Sequence, residues 1–290
     1  MPIPADLTSL LNKLYAGRSS LHLENDPLSR CRRYHSPEDR EVAALIASAF
    51  AYGNVKIILK TLDGIFGEMG SSPRRYVERF DPQEGLRCFA GFKHRFNDNR
   101  DLCALLLAIR MILGVAGSIE AFFLQGHEPG ARNTTRSLSA FSDAVLSLDF
   151  HQVFGARTIP KDSYFPFFFP SPASGSACKR LCMFLRWLVR PDDGIDLGLW
   201  SGVSPSQLVI PVDLHIRRIA RSLGLTGRNQ ADWKMACEIT DRLRELDPDD
   251  PVKYDFSLCH LGISEGCDGK NEERCLTCPV APVCSGPARQ

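Results

Sequence analysis

The chain has almost no net charge: 35 Lys and Arg stand against 34 Asp and Glu, leaving +1 over 290 residues. A global positive field is therefore absent, and a nucleic-acid partner would have to be held by local patches. No apolar run approaches the ~18 residues of a membrane span, and the first residues lack the charged and apolar regions of a secretion signal. Both absences predict a cytoplasmic protein with no membrane partner. No convincing alternating strand pattern and no internal repeat occur, which argues against sheet-rich and repeat architectures. Cysteine is not scarce, at 11 residues, but a disulfide framework is missing. Cys31, Cys88, Cys103, Cys178, Cys182, Cys237 and Cys259 are scattered, mostly within apolar helical patterns. They read as free thiols in a reducing compartment.

What is present is helix. The hydrophobic fraction of 44% suffices for a full core, and the length allows one large domain or two compact lobes. Asp6 to Tyr15 reads as a short helix closed by Gly17. Ser36-Pro37-Glu38-Asp39 is a strong helix start: a hydroxyl cap, a proline in the first turn, and acids at the positive end of the dipole. Val42, Leu45, Ile46, Ala49 and Phe50 then recur on one face. Asn54 to Met69 repeats the pattern and stops at Gly70. Further helices are predicted over Arg100 to Leu113, Asn133 to Leu148, Ala177 to Val189, Asp213 to Leu223, Asp232 to Leu246 and Pro251 to Leu261. Residues 155–176 break the pattern. The run Tyr164-Phe165-Pro166-Phe167-Phe168-Phe169-Pro170 is aromatic and too proline-rich for regular helix. It reads as a buried connection or as a pocket wall offering ring faces to a planar ligand.

Two constellations carry chemistry. Cys267, Cys275, Cys278 and Cys284 form a C-x7-C-x2-C-x5-C frame near the end of the chain, beside Pro279, Pro282 and Gly286. Loops so short have no core of their own, and four thiolates around one metal centre would hold them together. Zinc sites more often pair two C-x2-C knuckles, and only one is present, so a [4Fe–4S] cluster is the preferred cofactor, with Zn2+ as the alternative. The second constellation is Val212-Asp213-Leu214-His215-Ile216-Arg217-Arg218, opening a helix that closes in Leu223-Gly224-Leu225. Taken alone, Asp213 is a helix cap. Arg217, Arg218 and Arg221 lie on the polar face, either as phosphate contacts or as a solvated basic face.

The order of these parts (Val-Asp-x-His-x-x-Arg, a helix ending in Leu-Gly-Leu, then Leu-Gly and four cysteines) resembles the helix-hairpin-helix DNA glycosylases of the endonuclease III type. The resemblance covers residues 177–285 well and residues 36–150 more weakly. It implies that Asp213 is the catalytic acid and that the four cysteines ligate a [4Fe–4S] cluster. The first cysteine spacing is seven residues where the endonuclease III pattern has six, a one-residue loop insertion. The family's Leu-Pro-Gly-Val-Gly hairpin and its following lysine are absent in good form; Leu199-Trp200-Ser201-Gly202-Val203-Ser204 is a faint echo. The nearest upstream lysine is Lys179, 34 positions before Asp213. This longer layout resembles a divergent archaeal 8-oxoguanine glycosylase branch, and the whole chain is similar to a bacterial glycosylase-like family of about this length. Ser48-Ala49-Phe50-Ala51 resembles the family's Ser-Ala-Gln-Ala turn, whose glutamine fills the gap left by a flipped nucleotide. That likeness makes Phe50 a DNA-binding wedge, whereas its place on the apolar stripe makes it core.

The resemblance implies an all-α, two-lobe fold with a C-terminal cluster loop. A helical barrel over residues 36–160 would face a second lobe built from residues 1–35 and 161–290. The expected function is base excision in DNA repair. A monomer acting at the nucleoid on double-stranded DNA would flip out a damaged base, with Asp213 and Lys179 catalytic and AP lyase activity where Lys179 is the nucleophile. Arg217, Arg218, Arg221 and Arg228, with Arg74 and Arg75 opposite, would contact phosphates, aided by Lys270 and Arg274 in the cysteine loop. The alternative expectation is a non-catalytic iron–sulfur or zinc nucleic-acid-binding protein.

Overall fold

The first long helix begins as its sequence requires: Ser36 Oγ accepts the Asp39 amide at 3.0 Å, with Pro37 in the first turn. The computed structural model describes residues 4, 6–18, 20–263, 265–268 and 272–286. Over these residues the chain is predominantly helical. The N-terminal half holds α1 (Leu7–Ala16), α2 (Leu28–Cys31), α3 (Pro37–Phe50), α4 (Val55–Met69), α5 (Pro73–Glu78) and α6 (Pro82–Cys88). A minimal antiparallel ribbon follows, β1 (Lys93–His94) paired with β2 (Asn97–Asp98), with Lys93 opposite Asp98. Then come α7 (Asn99–Ala116), α8 (Ile119–Leu124), α9 (Thr135–Leu146) and α10 (His151–Phe154). The C-terminal half holds α11 (Lys179–Val189), α12 (Leu214–Ser222), α13 (Trp233–Arg244), α14 (Asp255–Ile263) and α15 (Glu272–Leu276). Among the described residues no helix is long and apolar enough to cross a membrane.

The centre of the molecule is α3, which packs against α2, α4, α5 and α11. Its partner α11 is buried along nearly its whole length, Leu181 to Val189 included. Each fully buried Leu or Phe on such a helix contributes about 1.5–3 kcal/mol by leaving water. The chain's start meets its end where α1 packs on α14, and α12 lies alongside α14. One apolar core runs from Leu7 to Val280, continuous between residues 36–160 and the rest.

Three expectations change. The last long helix starts at Asp255, not Pro251, because residues 251–254 form a turn closed by the Asp255 amide on the Val252 carbonyl at 3.0 Å. The helix predicted from Ala177 starts at Lys179, because Cys178 takes a left-handed conformation at φ 47°. Phe50 is corrected from wedge to core: its side chain has 0% exposure. Its ring meets Phe92, His94 and Phe168 edge-on at 5.5, 5.4 and 5.0 Å, so it has no route into a duplex. The aromatic run is mostly a buried connection. It makes a 3-10 turn over Phe165–Phe168, with Phe165, Phe168 and Phe169 inside and Tyr164 and Phe167 on the surface.

Candidate active site and cysteine cavity

Lys179 is placed by an unusual helix start. Cys178 sits at φ 47° and ψ 32°, a backbone region that L-residues adopt at a cost. Its thiol donates to the carbonyls of Pro170 and Ser176 at 3.3 and 3.2 Å. The preceding turn is tied to the start of α13, where the Trp233 amide donates to the Gly175 carbonyl at 3.1 Å. The left-handed turn therefore belongs to a bonded framework, and it aims the first residue of α11 out of the core.

Asp213 enters from a buried extended segment, Leu208 to Val212, whose Ile210 amide donates to Thr240 Oγ1 at 3.0 Å. Its two carboxylate oxygens have different partners. Oδ1 caps α12, accepting the amides of His215 and Ile216 at 2.8 and 2.9 Å. Oδ2 faces Lys179 Nζ at 3.7 Å and accepts the Cys259 thiol at 3.7 Å. Cap and ion-pair partner are thus one residue with one oxygen for each task. Lys179 keeps 33% of its side-chain exposure and Asp213 21%, so both are partly open to solvent.

The floor beneath the pair is ionic. Arg186 of α11 binds Asp196 at 3.2 Å and Asp255 of α14 at shorter range; Arg190 binds Asp196, Asp193 and Asp250. Asp196 is fully buried between the two guanidinium groups. Burial pushes the Asp255 carboxyl up to about 6 against the pull of Arg186, and the nearby Asp213 charge adds to the rise. Burial, then the charges of Asp213 and Asp255, push the Cys259 thiol upward, so it stays protonated and able to donate to Asp213. Cys259 went unrecognised as a site residue in the sequence, because a lone cysteine 46 positions from Asp213 has no local signal.

Beyond α12 lies a second feature. Cys267, Cys275, Cys278 and Cys284 all line one cavity of about 420 Å³, walled by Ile219 of α12, Leu223 just past its end and Leu261 of α14. The loop is bound to α12 at several points. Arg218 donates to the Cys267 carbonyl, and the Ser285 amide donates to the Ser222 carbonyl at 2.7 Å. Arg274 donates to the Gly266 carbonyl at 2.6 Å. His215 packs so closely on Gly262 that a Cβ there would lie 2.3 Å from its Nδ1, so α12 and α14 can approach only through glycine. Among the described residues no group of three or more His, Cys, Asp or Glu is gathered tightly enough to hold a single metal ion. The donor set and the apolar walls nonetheless fit an iron–sulfur cube, which spreads its four thiolates over separate irons.

The expected phosphate contacts divide. Arg221 is exposed and Arg217 half-buried with a 3.4 Å bond to the Asn229 carbonyl, so both can reach an anion. Arg218 is half-buried, meets His215 Nδ1 at 3.2 Å and donates to the Cys267 carbonyl, so part of its guanidinium is engaged in holding the cysteine loop. Arg228 pairs with Asp232 at 2.9 Å and Arg74 with Glu78 at 2.8 Å, while Arg75 is exposed. Lys270 lies outside the described residues.

The chain matches the family model described as "Protein of unknown function (DUF2400)" over residues 26–264, and it belongs to that family. The matched segment contains Lys179, Asp213 and Cys259 and ends before the first cysteine of the C-terminal frame. No curated protein matches the chain, and no solved structure matches it.

Proposed function

We propose that this protein is a DNA base-excision glycosylase with an associated AP lyase step, acting at Lys179 and Asp213. The observation that carries the proposal is their convergence: an amine and a carboxylate oxygen 3.7 Å apart, both partly exposed, on the starts of two different helices. An amine nucleophile needs a neighbour to take its proton and to stabilise positive charge on the sugar, and Asp213 Oδ2 stands where both can be done.

In the proposed sequence Asp213 Oδ2 accepts a proton from the Lys179 ammonium. The amine attacks C1′ of the flipped nucleoside, the glycosidic C1′–N bond breaks, and the electron pair leaves with the base, which is protonated. Asp213 Oδ2 hands that proton to the departing base as the bond lengthens, and the regenerated carboxylate stabilises the oxocarbenium-like sugar. The amine at C1′ gives up a further proton through Asp213 to O4′ as the C1′–O4′ bond breaks. The ring-opened imine then loses a C2′ proton and its C3′–O bond, which releases the downstream strand with its phosphate and nicks the DNA. Water finally hydrolyses the imine and returns Lys179. Arg217 and Arg221, on the helix that Asp213 starts, suit phosphates of the same strand.

For the four cysteines we propose a [4Fe–4S] cluster with a structural role. Bound there, it would supply no redox step and would fix the loop that Arg218 and Ser285 attach to α12. Incubation with a panel of duplexes, each holding one modified base, followed by alkaline cleavage, tests the function. Release from at least one substrate is expected. Duplex binding with no release from any would leave a nucleic-acid-binding protein without catalysis.

A further inference from the structure

The turn of the β1–β2 ribbon carries two exposed residues on a rigid base. His94 and Asn97, which flank the turn, are buried at 1% and 0% exposure. His94 Nδ1 lies 2.9 Å from Thr61 Oγ1 and its Nε2 3.1 Å from the Tyr52 carbonyl. The Asn97 side-chain amide donates to Asp101 at 2.9 Å, and Tyr52 Oη donates to both Asn97 Oδ1 and the His94 carbonyl. Arg95 and Phe96, held above this network, project outward. Arg95 adopts φ 52°, and Phe96 is 50% exposed.

A ladder of rings and guanidinium groups links that tip to α11. Arg180, the residue after Lys179, lies 3.8 Å from the centre of the Phe167 ring and 5.1 Å from that of Tyr52. Arg95 stands 5.9 Å from Tyr52 and 5.5 Å from Phe96. Phe96 in turn stacks on Tyr164 at 5.2 Å and 21°. Gly53 makes this approach possible, since a Cβ there would lie 2.9 Å from Arg95 Cδ. A stacked pair of half-exposed aromatic rings, from segments far apart in sequence and with an exposed arginine beside it, has the chemistry of a base-stacking platform. A protein surface would be met equally well by aliphatic groups, and nothing in such a partner calls for parallel rings with a cation at their edge.

We propose that Phe96 and Tyr164, with Arg95, form a stacking site for an unpaired nucleobase of the bound DNA, a binding element additional to the Lys179–Asp213 centre; this rests on the nucleic-acid reading above. Arg95 meets the adjoining phosphate while the rings take the base. Because the platform touches neither Lys179 nor Asp213, its role is in affinity for distorted DNA and not in bond breaking.

The test uses full-length protein and two duplexes of one length, one with a single bulged 2-aminopurine and one fully paired. The bulged base should lose fluorescence on binding. Phe96→Ala and Tyr164→Ala should abolish that loss and weaken the bulged duplex roughly five- to hundredfold, the span of one base–aromatic stack. Affinity for the paired duplex should hold, and Phe96→Trp should restore the quenching. Unchanged quenching in both alanine variants, or an equal loss on both duplexes, would overturn the proposal. Circular dichroism and thermal melting confirm that the variants remain folded. Base release and quenching, measured side by side, separate the two readings. Quenching retained in a wild-type protein that releases no base defeats only the glycosylase function. Base release with quenching indifferent to Phe96 and Tyr164 defeats only the platform, and absence of any DNA binding defeats both.

Discussion

Lys179 Nζ and Asp213 Oδ2 stand 3.7 Å apart although 34 positions separate them in the chain. The other Asp213 oxygen accepts the amides of His215 and Ile216 in the first turn of α12, so the residue is at once a cap and an ion-pair partner. That division makes the site separable by substitution.

Asp213→Asn keeps a cap oxygen, because asparagine caps as well as aspartate does. Its melting temperature should stay near that of the wild type while base release falls about a hundredfold, from loss of ~3 kcal/mol of electrostatic stabilisation. Asp213→Ala should show the same rate loss plus ~1 kcal/mol of stability. Full activity in the Asn variant, on a substrate the wild type cleaves, would leave Asp213 a cap alone.

Lys179 is tested by covalent capture. Borohydride should trap a protein–DNA adduct by reducing the imine, and Lys179→Gln should abolish trapping. Trapping that survives the substitution identifies another amine. Base release without trapping in the wild type points to water activated by Asp213.

Anaerobically purified protein should be brown and carry about four irons and four sulfides per chain. Cys278→Ser should lose colour and solubility together, as expected of a loop that folds around its cofactor. Stoichiometric zinc in a colourless, active preparation would replace the cluster with the zinc alternative.

Arg217→Ala and Arg221→Ala should weaken duplex binding across sequences and flatten its salt dependence by about one unit for each lost phosphate contact. Arg218→Ala should behave differently. Its guanidinium holds the Cys267 carbonyl, so the variant should lose cofactor content before it loses salt dependence. Equal salt slopes for all three variants would contradict this division.

Asp196 has no exposure and lies between Arg186 and Arg190. Asp196→Asn leaves two buried guanidinium groups short of charge and should destabilise the fold by about 3–5 kcal/mol, read from the denaturant midpoint. A change under ~1 kcal/mol would show that the remaining aspartates suffice.

Local chemistry alone fixed much of the helical framework. Ser36-Pro37-Glu38-Asp39 begins α3 and Gly70 follows α4, because caps, proline and positive-φ glycine act within a few residues. The same locality placed Phe50 on an apolar stripe, and its burial follows from that stripe. The ribbon at Lys93–Asp98 escaped the sequence because two residues per strand are too few to show alternation. The start of α11 at Lys179 escaped it because the left-handed turn at Cys178 is held by carbonyls of Pro170 and Ser176. Spacing singled out the four cysteines and a helix cap at Asp213, since a C-x2-C frame and a cap motif are local patterns, whereas Lys179 was reached only through the family resemblance. Only the tertiary structure decided that Lys179 meets Asp213, that Cys259 donates to the same oxygen, and that four cysteines share one cavity against α12. Each of these is a contact between helices, set by how α11, α12 and α14 pack, and no short stretch of sequence encodes that packing by itself.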